Sequence, residues 1–230
     1  MRRSFMCVLA FFVLLTALNC FSQQDWVSRY DAFSGYSFLT VPKLNLFENG
    51  YNAEFGVNIK PWVALGGDFS VFTGSTTLTQ NQLSHSLLTE LEPILGQLPP
   101  GYKIQSPYDA TTYTYSAGPQ FNIRKLKWIT FFVRPGLGAF HQSVNLKPND
   151  PITKGIIETV LNGRLKTSDT VVFYGFGGGM DFNTSKHVAI RVTADFVHFN
   201  VFSSLLNGGE NSVRFSIGPT FRWGQNIVKK

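Results

Sequence analysis

Residues 171–182 read VVFYGFGGGMDF and place four glycines within five positions, 175 to 179. Glycine-rich runs bind phosphates in nucleotide-binding proteins when they follow a strand and open a helix. Here the run carries no Gly-Lys-Ser/Thr sequence, and no helix pattern follows it. Its apolar residues alternate with small ones at a spacing of two, which is the period of a β-strand. We therefore interpret the stretch as a strand.

The composition indicates an exterior that is not wholly in contact with water. Aromatic residues make up 15% of the 230 residues, and charged residues also make up 15%. An average soluble domain carries about 25% charged residues. The formal net charge of +6 is modest and unclustered, unlike the basic face of a nucleic-acid-binding protein. We expect no nucleic-acid partner.

The first residues have the features of an export signal. A basic start at Arg2–Arg3 precedes an apolar run over 7–18, and Ser22 is the small residue expected before a cleavage site. We therefore predict a cleaved signal peptide at 1–22 and a β-barrel domain at 23–230.

Both cysteines, Cys7 and Cys20, lie in this leader, so the mature chain would contain no disulfide. Lipid attachment at Cys20 is the alternative to simple cleavage. It is disfavoured because Asn19 stands where a small residue is expected.

Beyond the leader the dominant pattern has period two, and no apolar run approaches the length of a spanning helix. This pattern predicts eight strands, of which the first is the weakest. Their predicted bounds are 32–39, 51–60, 63–73, 111–123, 129–141, 170–182, 188–201 and 212–223.

The two faces of these strands differ in a way that predicts the architecture. One face is rich in Phe, Tyr, Val and Ile, and the other is mostly Gly, Ser, Thr and Asn with a few charges. A soluble sheet would expose many Lys and Glu, whereas apolar-out and small-or-polar-in is typical of a membrane barrel. The predicted lumen charges are Glu54, Asp68, Arg134, Asp181, Arg191, Asp195, Arg214 and Arg222. We predict an all-β, eight-stranded antiparallel up-and-down transmembrane β-barrel.

In such a barrel the odd-numbered glycines, Gly175, Gly177 and Gly179, face the lumen beside Asp181. We interpret them as a thinning of the wall that leaves room for charged side chains from across the lumen. Gly178 falls on the lipid side, where it relieves aromatic bulk or allows the strand to bend.

The connections between strands alternate in length, which indicates short periplasmic turns and long outer loops. The short links are about 61–62, 124–127 and 183–187. The long links are about 40–50, 74–110, 142–169 and 202–211. Trp62, Trp128 and Trp223 fall at the predicted periplasmic ends, and we interpret them as an aromatic girdle at the membrane interface.

Three prolines, Pro119, Pro135 and Pro219, lie inside predicted strands, where proline removes a donor from the hydrogen-bond ladder. Two of them repeat a pattern, SAGPQF at 116–121 and SIGPTF at 216–221. We therefore predict β-bulges at equivalent heights in the barrel.

The stretches GGGMDF at 177–182, VAIRVTADF at 188–196 and VRFSIGPTFRWG at 213–224 resemble the small outer-membrane β-barrel superfamily. The type is the eight-stranded barrel of outer-membrane protein A, and the resemblance covers essentially the whole predicted mature chain. It implies location in the outer membrane of a Gram-negative bacterium. It also implies outer-membrane lipids and the barrel assembly machinery as partners, and we expect a monomer.

The sequence offers little catalytic chemistry, and we expect no cofactor. The four histidines, His85, His141, His187 and His198, show no metal-ligand spacing. His141 and Ser143 lie two apart and share a strand face, so a histidine-activated serine for acyl transfer, as in lipid A-modifying enzymes, is one alternative. No carboxylate that would orient the imidazole is identifiable.

Two long loops contain helical periodicity. The apolar positions are Leu83, Leu87, Leu88, Leu91, Ile94 and Leu95 in one loop, and Ile156, Ile157, Val160 and Leu161 in the other. Such segments cap the barrel mouth, lie on the outer leaflet or meet a partner.

The functional hypothesis is a non-enzymatic protein with a structural or cell-surface interaction role through the outer loops 74–110 and 142–169. The alternatives are a narrow porin-like channel and, third, a lipid A-modifying enzyme.

Overall fold

The computed structural model describes residues 24–207 and 210–228, so the predicted signal peptide lies outside the described residues. Eight antiparallel strands close into a barrel in chain order, and the first strand pairs with the last. The strands are β1 (Ser28–Val41), β2 (Leu46–Lys60), β3 (Val63–Thr79), β4 (Gln105–Ile123), β5 (Ile129–Leu146), β6 (Lys166–Asn183), β7 (Val188–Phe199) and β8 (Glu210–Asn226). The predicted eight-stranded up-and-down barrel is confirmed.

The two ends of the barrel differ in their connections. At one end, called here the turn end, the strands are joined by 61–62, 124–128 and 184–187, close to the prediction. At the opposite end, called the lid end, the connections are 42–45, 80–104, 147–165 and 200–209. The first three are shorter than predicted because β2 to β6 continue several residues further toward the lid end. Strand β7 instead ends at Phe199, two residues before its predicted end.

The extra strand length was missed because the alternation reverses toward the lid end. On β3, Leu65 and Phe69 are exposed on the outer face, but further along that face carries Thr73, Ser75 and Thr77. Phe72, which is fully buried, points inward instead. A pattern defined by apolar residues outside therefore stops before the strand does.

The interior is correspondingly apolar near the lid end, which corrects the expectation of a polar lumen throughout. A buried cluster fills this part of the barrel, and the rings of Phe140 and Phe199 stack at its centre with centroids 3.9 Å apart. Other members of the cluster include Leu39, Val41, Leu46, Phe72, Phe173 and Val197. The charged ion-pair interior lies in the half nearer the turn end.

The predicted bulges at the prolines are wrong. Between β4 and β5 the pairing stops at Ala117↔Leu137 and resumes at Phe121↔Val133 in the same register. Pro119 and Pro135 lie in this interruption, and each pairs in register with its other neighbouring strand. Pro219 lies in a similar interruption between β1 and β8, from Phe33↔Thr220 to Tyr36↔Ile217, and pairs in register with Ile190 of β7. The ladder accommodates the missing donors by skipping bonds on one side, without inserting a residue.

The helical patterns in the long loops form two helices, α1 (His85–Leu95) and α2 (Pro151–Val160). The Ser84 hydroxyl accepts from Leu87 N at 3.2 Å and the Asp150 carboxylate from Thr153 N at 2.8 Å, so each helix has an N-cap. Leu87 and Leu91 of α1 and Ile156 of α2 join a small hydrophobic cluster above the barrel interior. Of the three uses considered for these segments, the structure shows the cap, called here the lid.

The connection between β7 and β8, at 200–209 and called here the third long connection, also contributes to the lid. Leu83 and Leu206 form an isolated antiparallel bridge, and Ser84 N donates to Leu205 O at 2.8 Å. Neither lid helix, nor any other helix in the part of the chain that the structure describes, is long and apolar enough to cross a membrane.

Candidate functional site

The eight charges predicted for the lumen all point into the barrel and form one connected set of ion pairs, called here the ion-pair network. In the layer nearer the turn end, Arg191 binds Asp181 at 2.7 Å and Glu54 at 2.8 Å. Asp181 also binds Arg222: its second carboxylate oxygen lies 2.5 Å from the Arg222 guanidinium. Each carboxylate here therefore meets at least one guanidinium.

A second layer lies nearer the middle of the barrel. Arg134 binds Glu54 at 2.7 Å and Asp195 at 2.8 Å, and Arg214 binds Asp195 at 2.9 Å and Asp68 at 2.6 Å. Glu54 contacts a guanidinium from each layer, so it connects the two. The most exposed of these side chains, Arg134, is only 15% exposed.

Close pairing is what makes this interior compatible with a membrane barrel. A buried charge without a partner costs several kcal/mol because its hydration is lost. In the network each buried guanidinium is multiply bonded, and neutral groups take remaining donors: Arg214 also bonds Ser70 at 2.9 Å and Thr114 at 3.3 Å. The network thus spans the barrel interior with mutually neutralised groups.

Two members of this interior were missed by sequence reasoning. Asp31 on β1 lies 3.4 Å from Arg191 and accepts from Asn58 at 3.0 Å. It shares its face with buried Phe33, an inward aromatic that weakens the alternation of this strand. Extending the strand by one residue toward the N-terminus would have found it.

The second is Arg124, which belongs to the β4–β5 turn and reaches into the barrel. It donates to Pro61 O at 2.9 Å and to Asn58 Oδ1 at 3.1 Å. Alternation gives no signal for a turn residue.

The glycine run explains how two layers of long side chains fit along one wall. Gly177 of β6 lies between Arg134 on β5 and Asp195 on β7, and their ion pair passes over it. A Cβ at Gly177 would overlap the Asp195 carboxylate. The charged side chains therefore come from the neighbouring strands, not from across the lumen as predicted.

Gly179 has a related role one step nearer the turn end. It pairs with Phe132 and Thr193, and a Cβ there would lie 2.9 Å from the Phe132 ring. The Arg191 guanidinium stacks on that ring at 4.9 Å from its centroid. Wall glycines thus set the space for both layers.

A buried carboxylate in the lid half was also missed. Glu48 on β2 is 1% exposed, and both its oxygens accept from the Thr112 hydroxyl at 2.9 Å. Gln142 donates to the same hydroxyl at 3.1 Å. Among the described residues no cation lies within ion-pair distance of Glu48, which separates it from the ion-pair network.

The predicted girdle tryptophans lie at the turn end with exposed side chains. Trp62, Trp128 and Trp223 are 56%, 61% and 43% exposed. Trp62 lies parallel to Phe121, and Trp223 contacts Tyr30 with centroids 6.1 Å apart. A band of exposed Phe, Tyr, Leu and Ile side chains continues from them around the outer face.

His141 and Ser143 lie on the same face of β5, as predicted, and that face is the outer face of the barrel. His141 Nδ1 pairs with Thr170 Oγ1 at 2.7 Å, and Ser143 lies opposite Thr111 and Ser168. No group of three His, Cys, Asp or Glu within 24–207 and 210–228 is arranged to hold a metal ion.

Comparisons with known proteins agree with this geometry. The family model described as the outer membrane protein beta-barrel domain matches residues 8–219. OprG from Pseudomonas aeruginosa has a similar structure, with a TM-score of 0.52 at 8% identity, covering 89% of this chain and 100% of OprG. Neisserial surface protein A gives a TM-score of 0.51 at 11% identity, covering 84% of this chain and 96% of its own.

No curated protein matches the sequence. The two solved structures establish the shared fold, and the family model covers most of the chain. Location in the outer membrane is thereby confirmed: the chain belongs to the outer-membrane β-barrel domain family and is a Gram-negative outer-membrane protein.

Proposed function

We propose that this protein is a non-enzymatic, non-conducting outer-membrane barrel with a structural or cell-surface interaction role. The observation that carries the proposal is that side chains occupy the barrel interior at three successive levels. The ion-pair network occupies the half nearer the turn end, the aromatic and aliphatic cluster occupies the lid half, and the lid covers the opening. An eight-stranded barrel is narrow enough for interior side chains to fill it.

The interaction surface in this proposal is the lid end, formed within loops 74–110 and 142–169. Long connections lie outside the cell in barrels of this kind, and short turns lie in the periplasm. The exposed aromatic band would contact outer-membrane lipids, and insertion would depend on the barrel assembly machinery. The protein would act as a monomer, since closure leaves no free strand edge.

Absence of catalysis is part of the same proposal. The imidazole of His141 is engaged with Thr170 on the outer wall. A lipid A-modifying activity would therefore have to break an existing contact. Expression followed by analysis of lipid A acyl chains tests this, and acyl changes lost in Ser143→Ala would overturn the non-enzymatic proposal.

Planar-bilayer recording tests whether the lumen conducts. We expect no reproducible conductance steps from the wild type. Conductance steps that are abolished in Arg191→Ala or Asp195→Ala would show that the ion-pair network lines a narrow pore. That result would favour the channel alternative over the non-conducting barrel.

Cysteine labelling in intact cells tests the orientation. Both natural cysteines lie in the predicted signal peptide, at positions 7 and 20, so after its cleavage a single substitution would report one site. We expect a membrane-impermeant maleimide to label Lys103→Cys, on the exposed lid. The matched variant Lys186→Cys, exposed in the β6–β7 turn, should react only after the outer membrane is permeabilised. The reverse result would place the turns outside.

A further inference from the structure

The lid covers a small, partly open apolar cavity above the packed interior of the barrel. Its volume is about 90 Å³, and apolar side chains from both lid helices, the barrel and the third long connection line it. Leu87, Ile157, Leu44 and Phe202 are among them. Apolar cavities in proteins bind small apolar groups.

A larger groove lies beside the cavity at the lid rim. It holds about 550 Å³ between α2, the start of β6 and the third long connection. Val160, Leu161, Thr167 and Leu205 line both the groove and the cavity. The two spaces therefore share one wall, and the apolar space lies directly behind the open one.

Two cationic side chains, Arg164 and Lys166, line the groove and are exposed. Two other cations at the lid end are already paired: Lys147 contacts Asp109, and Lys154 lies 3.8 Å from Glu158. Within residues 24–207 and 210–228, neither Arg164 nor Lys166 has a carboxylate within ion-pair distance. The groove therefore places two positive charges next to an apolar cavity.

We infer that this groove and cavity bind a single-chain amphiphile with an anionic head group. The head group contacts Arg164 and Lys166, and the first carbons of the chain lie along the groove. The end of the chain enters the cavity past Leu161. An uncharged hydrocarbon would not contact the two cations, and an inorganic anion would not occupy the cavity. The adjacent cations and cavity therefore favour a ligand that has both an anionic head group and an apolar chain. The shared head-group chemistry is a carboxylate or a phosphate monoester.

The chain-length dependence follows from the size of the cavity. Each additional buried CH₂ group should tighten binding about fourfold. The gain should stop once the cavity is full, because the remaining chain lies in the open groove. A series from butanoate to decanoate should therefore show a rise in affinity followed by a plateau.

The experiment uses the protein in lipid nanodiscs, with methyl-labelled leucine and isoleucine followed by NMR. Octanoate and octyl phosphate are the probes, octanol and octylamine are the head-group controls, and empty nanodiscs correct for partition into lipid. We expect octanoate or octyl phosphate to shift the Leu161 and Ile157 methyl signals at concentrations where octanol does not. The tighter of the two anionic probes identifies the head group, and binding of neither overturns the inference.

Two sets of variants make the test specific. Arg164→Gln with Lys166→Gln should weaken binding at least about tenfold. The matched pair Lys103→Gln with Lys154→Gln removes the same charge elsewhere on the lid and should leave affinity unchanged. Equal weakening by both pairs would mean nonspecific attraction to a basic surface.

Leu161→Trp should block the shared wall and abolish the chain-length dependence. The folded state of each variant is checked by its mobility on a gel before and after boiling. A retained chain-length series in folded Leu161→Trp would overturn the assignment of the cavity. These outcomes do not depend on conductance or cell-surface labelling, so the inference and the proposed function can fail separately.

Discussion

The barrel has two halves with opposite chemistry, although the same strands run through both. In the half nearer the turn end, aromatic and aliphatic side chains cover the outside and ion pairs fill the inside. In the lid half, the outer faces of β3 and β5 carry Thr, Ser, His and Asn, and Phe and Leu pack inside. On β5 the outward residues change from Val133 and Leu137 to His141, Ser143 and Asn145 along one face.

The change of solvent outside explains the change of packing inside. Where lipid surrounds the wall, apolar side chains belong outside, and the interior can be polar provided that its charges are paired. Where water surrounds the wall, burial of apolar surface has to occur inside the barrel. The protein is thus packed as a membrane barrel at one end, whereas at the other end it has a hydrophobic core like that of a soluble protein.

The largest expected effect is loss of the barrel in Gly177→Leu or Gly179→Leu. A leucine at Gly177 would occupy the path of the Arg134–Asp195 ion pair, and one at Gly179 would overlap Phe132. We expect no folded species on a gel that compares unboiled and boiled samples. Gly155→Leu is the control, since a Cβ at Gly155 in α2 meets nothing within 4 Å. Folding of all three variants would mean that the wall is not constrained by the network.

The core of the lid half should contribute the next largest effect. Phe140→Ala removes a fully buried ring stacked on Phe199, and the resulting cavity should lower the free energy of unfolding by about 4 kcal/mol. Phe176→Ala is the matched change on the lipid face, where Phe176 is 60% exposed. We expect a smaller loss there, because lipid chains fill the space. Urea unfolding from lipid vesicles measures both, and equal losses would remove the distinction between the halves.

Two glutamates on the inner face of β2 allow a direct comparison of the halves. Glu54→Gln takes a charge from Arg134 and Arg191, and should lower the free energy of unfolding by about 3 kcal/mol. Glu48→Gln should change it by less than about 1 kcal/mol, because an amide oxygen still accepts from Thr112. A larger loss in Glu48→Gln than in Glu54→Gln would contradict the role of the ion-pair network.

The smallest effect concerns the pH dependence of the lid. The Tyr102 hydroxyl donates to Asp150 at 2.5 Å and holds the pKa of that carboxylate below its usual value of 3.8, helped by the bond from Thr153 N. A lowered carboxylate pKa contributes stability above the unfolded value, and the contribution is lost as pH falls through the folded value. Protection of α2 amides from hydrogen exchange, corrected for intrinsic rates, should therefore decrease below about pH 4. Asp150→Asn, which keeps a capping oxygen, should remove this dependence, whereas an unchanged profile would exclude Asp150 as its source.

Sequence reasoning succeeded where one physical rule applied along the whole segment. The turn-end bounds of the strands were predicted closely because the lipid-facing alternation continues up to the girdle at Trp62, Trp128 and Trp223. It failed at the lid end, where the alternation reverses, and so missed Glu48. Asp31 was missed because an inward aromatic, Phe33, made its strand irregular. The bulges at the prolines were wrong because a closed ladder can omit single bonds without changing register.

The sequence alone was sufficient to determine the barrel, its number of strands and the inward side of the eight predicted lumen charges. These follow from period two and from the contrast between lipid and lumen, both of which are local properties of the chain. Only the tertiary structure decided which charges pair. It also decided that Gly177 makes room for neighbours on β5 and β7, and that Arg164 and Lys166 lie beside an apolar cavity. Those relations depend on strand register and loop packing, which bring together residues far apart in the chain. The stretch at 171–182 shows both: its alternation marks it as a strand, whereas the need for its glycines appears only once the adjacent strands are in place.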